Sequence, residues 1–193
     1  MHCLRSIVVL LLLSGCLVGD AWALTINSST AVAGASSLAH TVSVTNEMGS
    51  PAATVTFLAT NDGFLVPTGA VHGQYVADAD FLTGSGTMTL TGYVDTTNTM
   101  FGTEILIGTA TESTVPFAAT PVPLTLAGPY ALTVKAVLTL EPDTTVTFTH
   151  MVSVTADTAT VPEADSVMLL ACVPLLLILA TPLSRRFRVR AAD

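Results

Sequence analysis

The chain has 193 residues, half of them hydrophobic, and a formal net charge of −8. Between Leu24 and Thr160 the acids Glu47, Asp62, Asp78, Asp80, Asp95, Glu104, Glu112, Glu141, Asp143 and Asp157 stand against one base, Lys135, and such a surface repels phosphate backbones, which argues against nucleic-acid binding. Cys3, Cys16 and Cys172 all lie in the terminal segments, so the middle region has no disulfide framework, no thiolate nucleophile and no cysteine zinc site.

Residues 1–23 read as an export signal. Arg5 supplies the positive start, Ile7 to Leu13 is an unbroken apolar core, and Ala21 and Ala23 place small residues where a signal peptidase needs them for a cut before Leu24. A competing reading stays open. Leu13-Ser14-Gly15-Cys16 has the form of a bacterial lipobox, in which Cys16 would carry lipid and become the new N-terminus.

Residues 24–160 read as one extracytoplasmic domain. The dominant signal is period-two alternation of apolar residues with threonine and serine. Leu38 to Thr45, Thr54 to Thr60, Thr87 to Thr91 and Thr103 to Thr111 show it, and Tyr130 to Leu140 and Thr145 to Thr155 show it best. β-branched residues fit a half-buried pleated surface, so propensity agrees with pattern. Turn residues punctuate these runs at Asn46-Glu-Met-Gly49, Asn61-Asp62-Gly63, Gly84-Ser-Gly86 and Asp95-Thr-Thr-Asn98. Glu141-Pro142-Asp143 joins the two cleanest strands and predicts a hairpin. Thr114 to Pro129 carries Pro116, Pro121, Pro123 and Pro129, which predicts a long connection or an irregular edge, because proline cannot donate to a ladder. The expected fold class is all-β: a single antiparallel β-sandwich of about seven strands, immunoglobulin- or jelly-roll-like, with a partly closed barrel as the alternative.

Candidate chemistry in this domain is sparse. His40 shares a predicted face with Leu38, Val42 and Val44, and His150 with Phe148 and Val152. Two imidazoles meeting across strands could bind a metal, but a metal site needs three or four ligands, and core histidines satisfied by the backbone are the plainer reading. Asp78 and Asp80 lie on one side of an extended segment and, with Asp62 or Asp95, could hold calcium; solvated acidic loops are the default. Glu104 and Glu112 could be imagined as a glycosidase pair, though any acidic β-domain offers such pairs. Nucleophile elbow, phosphate loop and His-Glu-x-x-His motifs are all missing from the sequence. Asn27-Ser28-Ser29 is a formal glycosylation sequon. No catalytic residue, metal ligand or cofactor is predicted.

Residues 161–193 set the address. The run 167–183 holds no charge and, as a helix rising ~1.5 Å per residue, would span about 25 Å of hydrocarbon. Pro174 would kink it and Pro182 sits at its edge. Arg185, Arg186, Arg188 and Arg190 crowd the end 184–193, and a cationic cluster beside a span stays cytoplasmic, which puts the N-terminus and the β-domain outside.

Val161, Pro162 and Glu163, then the apolar span, then the terminal arginines, together resemble the PEP-CTERM sorting tail of exported proteins of Gram-negative bacteria. In the family pattern a second proline follows the glutamate; here Ala164 takes its place. The resemblance covers the motif 161–166 and the tail behind it. It implies an exosortase-type processing enzyme as partner, cleavage near Pro162-Glu163, and sorting from the inner membrane to the cell surface or extracellular matrix, where such proteins accompany exopolysaccharide and biofilm. A plain single-pass anchor is the rival reading of the same tail. The expected role is structural or adhesive, not enzymatic; the alternative is a carbohydrate- or calcium-binding module on the same fold.

Overall fold

The computed structural model describes residues 7–14 and 24–157. Cys16, Ala21 and Ala23, the motif Val161-Pro162-Glu163, the apolar run 167–183 and Arg185, Arg186, Arg188 and Arg190 lie outside the described residues. No helix occurs among the described residues, and therefore none long and apolar enough to cross a membrane.

Among the described residues eleven strands form two antiparallel sheets. They are β1 (Ile7–Ser14), β2 (Leu24–Ala33), β3 (Ser37–Asn46), β4 (Ala53–Phe64), β5 (Gly69–Thr83), β6 (Gly86–Asp95), β7 (Ile105–Thr111), β8 (Phe117–Ala118), β9 (Val122–Leu126), β10 (Tyr130–Leu140) and β11 (Thr144–Ala156). One sheet runs β1-β4-β10-β6-β7. The other runs β2-β3-β11-β5-β8, with β9 also on the free side of β5. The architecture is the expected sandwich, with more strands than the sequence predicted. The strand inside the N-terminal segment, Ile7–Ser14, lies antiparallel to β4 from Ile7↔Asn61 to Ser14↔Thr54.

Alternation explains the layering. In β3 every second residue, from Leu38 through Val42 and Val44, is buried, and β11 does the same with Val146, Phe148, Val152 and Val154. These side chains meet Val55, Phe57, Leu132, Leu138 and their neighbours from the facing sheet in one core. Each fully buried Leu or Phe there contributes roughly 1.5–3 kcal/mol relative to exposure. β10 departs from strict alternation: Tyr130 to Val134 are all buried. Its outer side at that end is roofed by the loop after β6. There the Thr60 hydroxyl bonds to Thr133 at 3.1 Å and accepts the Phe101 N–H at 3.2 Å.

Two sequence expectations are corrected. Glu141-Pro142-Asp143 does not close a hairpin: β10 and β11 lie in opposite sheets. Their apolar faces are better satisfied across the core than side by side. The arch between them is tied by the Asn46 amide, which donates to the Leu140 carbonyl and the Glu141 carbonyl, each at 3.1 Å. Asp143 takes φ 61° in the same turn. Asn61-Asp62-Gly63 does not end a strand but lies within β4. Gly63 sits at φ 70°, and its N–H donates to Asn98 Oδ1 at 2.7 Å, so a side chain from the next loop supplies the acceptor. The proline-rich stretch is an edge as expected, with β8 and β9 both on β5.

Asn61 is fully buried, and neither end of its amide has a hydrogen-bond partner among the described residues. An unpaired buried amide costs about 1–3 kcal/mol. Asn61→Val, which keeps a strand-compatible shape without polar atoms, is therefore expected to raise stability by about 1–2 kcal/mol. Urea denaturation of the two chains measures it.

Candidate functional site

The most extended side-chain constellation inside the sandwich, among the described residues, is built on His40 and His150. β3 and β11 are neighbours in register, with His40 directly opposite His150. Both side chains point into the core because they occupy the buried phase of their strands, and both are 0% exposed. His150 Nε2 lies 3.4 Å from His40 Nδ1. At one end His40 Nε2 is 3.1 Å from Ser29 Oγ on the edge strand β2. At the other, His150 Nδ1 is 3.3 Å from the Tyr75 hydroxyl on β5. The result is a four-residue relay across four adjacent strands, walled by Phe57 and Phe148, whose rings lie 6.3 Å from that of His40.

The proton positions follow from counting. The Tyr75 hydroxyl has no acceptor besides His150 Nδ1 among the described residues, and a buried hydroxyl that donates to nothing is costly. Tyr75 therefore donates to His150 Nδ1. His150, with one proton when neutral, carries it on Nε2 and donates to His40 Nδ1. His40 then carries its own proton on Nε2 and donates to Ser29 Oγ. Each bond holds one proton, and the relay points outward from tyrosine to serine.

Protonating either ring breaks a bond of this chain and places a charge in an apolar core. Burial accordingly holds His40 down at about 4. For His150, burial first and the facing His40 second bring it down to about 3. Burial, and then Tyr93, push the Tyr75 phenol well above its ordinary value. The sequence placed both histidines on inward faces and left their meeting as a possibility; the plainer expectation, satisfaction by the backbone, is replaced by side-chain partners. It missed Ser29 and Tyr75, the two ends. Tyr75 was readable only by extending β5 across Gly73 and Ala77; nothing in the serine-rich β2 singled out Ser29.

As a metal centre the pair is incomplete: no group of three or more candidate ligands occurs among the described residues. As a catalytic serine, Ser29 lacks a free base, since His40 Nε2 already carries the proton it would have to take.

The remaining candidates are scattered. Asp78 and Asp80 are exposed on β5, beside Thr149 and Thr147 of β11, at the rim of a shallow depression. Asp95 belongs to the other sheet and is buried under its own loop. Burial alone would raise its carboxyl, but the Thr97 hydroxyl and the N–H groups of Thr99 and Thr97 outweigh it and hold it below its usual value. Asp62 follows Asn61 on β4, so the carboxylates are not assembled into a calcium cage. Glu104 accepts from the Thr96 N–H at 2.8 Å and the Thr96 hydroxyl at 2.6 Å. Glu112 accepts from the Met88 N–H at 3.0 Å, and that bond chiefly holds its carboxyl below the ordinary value. The two glutamates bracket β7, an extended separation of about 26 Å, well beyond the reach of a glycosidase pair. Asn27 of the sequon is exposed on β2 and donates to Thr45 Oγ1 at 2.9 Å.

The outer faces are lined with hydroxyls bound to one another. Thr41 pairs with Thr149, Thr45 with Thr145 and Thr54 with Thr139, each at 3.0 Å. None of the tyrosines and phenylalanines of 24–157 is exposed.

No protein-family model matches the chain, and no curated protein matches it. Among solved structures it is similar to one described as TmCBM61 in complex with beta-1,4-galactotriose, with 7% identity over 70% of this chain and 88% of that one, at a TM-score of 0.29.

Proposed function

We propose that this chain is an exported structural or adhesive protein of the cell surface or extracellular matrix. Its β-sandwich is the exposed part, and its PEP-CTERM-like tail is the sorting signal for an exosortase-type enzyme. The observation that carries the structural role is the outer surface of the sandwich. Its hydroxyls are knitted pairwise across strands, and the exposed large hydrophobics among the described residues are aliphatic only. Sugar-binding sites commonly use exposed aromatic faces as stacking platforms, and on the described surface Phe81, Tyr93, Phe101 and Phe117 are only partly exposed. The outward polarity of the buried relay supports a non-enzymatic reading, because it leaves Ser29 with an acceptor role and no base. Association with exopolysaccharide then rests on many weak hydroxyl contacts over a broad face.

The alternative, a carbohydrate- or calcium-binding module, draws on Asp78 and Asp80 with the hydroxyls of Thr147 and Thr149 beside them. One experiment separates the two. The exported chain is probed against a glycan panel and against its own host's exopolysaccharide, with and without EDTA. Weak, EDTA-insensitive binding to the polymer with silence on the panel is the expected result. Tight binding to a defined oligosaccharide, or loss of binding in EDTA, would transfer the assignment to the module. Intact mass of the chain recovered from the host tests the sorting half: a start at Leu24 and an end near Pro162 are expected, and an uncut chain overturns it.

A further inference from the structure

The two sheets have four lateral boundaries, and three of them are blunted. β2 carries a register shift between Ile26 and Ser28. β7 pairs with β6 across a shift at Gly92/Tyr93. The β8–β9 side is interrupted by Pro116, Pro121 and Pro123. Bulges and prolines are how natural sheets stop another strand from adding. At the fourth boundary, behind β1, lies β4. From Ala53 to Asn61 it contains no charge, no proline and no glycine, and its pairing with β10 runs unbroken from Leu140 to Leu132. Such an edge is unprotected, and the structure covers it with Ile7–Ser14.

We propose that in the mature chain the edge of β4 pairs antiparallel with β4 of a second copy, making a two-fold dimer with one continuous sheet. The proposal rests on the export reading, since Ile7–Ser14 lies within the segment removed by cleavage before Leu24. Removal frees the backbone of Thr54 to Asn61, the eight positions that β1 pairs. Unsatisfied ladder groups with no side-chain deterrent favour a strand as occupant.

The charge distribution admits a second copy at this edge. Elsewhere the domain is acidic, so two copies repel. The β4 edge is neutral, and Lys135, the only base between Leu24 and Thr160, stands opposite Leu58 on the neighbouring strand. Antiparallel pairing of a strand with itself is isologous and closes at two copies, so it gives a dimer and not a fibre. Asp62, at the far end of the free stretch, sits at the rim of such a pair.

The test uses the processed chain purified from its exporting host. Its N-terminus is read by intact mass, its assembly by sedimentation, and its β4 amides by hydrogen exchange at high and low concentration. Expected are a chain starting at Leu24, twice the chain mass in solution, and protection of Val55 to Ala59 that falls on dilution. Thr56→Lys and Leu58→Lys, each adding a charge to the edge, are expected to give the single-chain mass. A correctly cut chain that sediments as a monomer with concentration-independent exchange overturns the dimer and leaves the export reading standing. A dimer that survives both lysines places the contact elsewhere and also overturns it. A chain that retains Ile7–Ser14 overturns the export reading and the dimer together.

Discussion

Lowering the pH from 7 to about 4.5 is expected to cost the sandwich on the order of 5 kcal/mol, far more than surface titration would explain. His40 and His150 are held in the folded chain at about 4 and about 3, below the ordinary histidine value of 6.5. Between these limits the unfolded chain binds protons that the folded chain refuses. The stability contributed by the neutral pair is thus complete above pH 6.5 and is lost as pH falls toward 4. Each such proton changes stability by ~1.4 kcal/mol per pH unit, and two act together. The loss is comparable to the whole stability of a marginal domain. Below pH 4 Asp95 continues it in the same direction, since its carboxyl is also held low by bonds that protonation weakens. Thermal melts across the range measure the slope. In the triple variant His40→Leu/His150→Leu/Tyr75→Phe, which removes the relay without leaving an orphaned partner, the slope between pH 6.5 and 4.5 should largely vanish. Single His150→Leu should instead weaken the fold at pH 7 by a few kcal/mol, because the Tyr75 hydroxyl and His40 Nδ1 both lose their partner. A triple variant as acid-sensitive as the parent would remove the histidine pair as the cause.

What the sequence showed and hid follows from how loudly each strand alternates. Tyr130 to Leu140 and Thr144 to Ala156 place apolar residues on most of their alternate positions, so they were legible almost to the residue. β5 was not, although it is the longest strand. Its inward positions include Gly73, Ala77 and Ala79, which give no hydrophobic alternation. Gly73 is small because a Cβ there would come within 2.7 Å of Ile107 Cδ1 in the facing sheet. β2 is an exposed edge with only Leu24, Ala31 and Ala33 half-buried against the core. Without β5 and β2 neither end of the relay could be named. The pairing of His40 with His150 was visible only as a shared inward phase; register, a property of β3 beside β11, brought them into contact. The mistaken hairpin has the same origin. Turn residues mark a reversal of direction but do not say whether the chain returns in its own sheet or crosses to the other.

Gly92→Ala is expected to be strongly damaging, and the reason lies at the inner end of the relay. Gly92 of β6 and Gly108 of β7 are paired in register, and the ring of Tyr75, crossing from the other sheet, rests on both. A Cβ at Gly92 would fall 2.9 Å from Tyr75 Cε2 and closer still to Cδ2; one at Gly108 would fall 2.7 Å from Cδ1. The contacts are with a buried, 1% exposed ring, not with a flexible tip that could swing aside. Overpacking of this kind costs about 1–3 kcal/mol. Displacing the ring also pulls its hydroxyl from His150 Nδ1, already at 3.3 Å, and orphans both groups for a further ~1–3 kcal/mol. A total of about 2–6 kcal/mol is therefore expected in urea denaturation. Gly128→Ala, where a Cβ meets nothing within 4 Å, supplies the control and should change stability by less than about 0.5 kcal/mol. The cause is isolated by a double-mutant cycle. In a Tyr75→Leu background the ring and its hydroxyl are already gone, so adding Gly92→Ala should cost little, with a coupling energy close to the whole cost of the substitution in the parent. Strict additivity of the two substitutions would mean that the methyl acts on the β6 backbone and not through Tyr75.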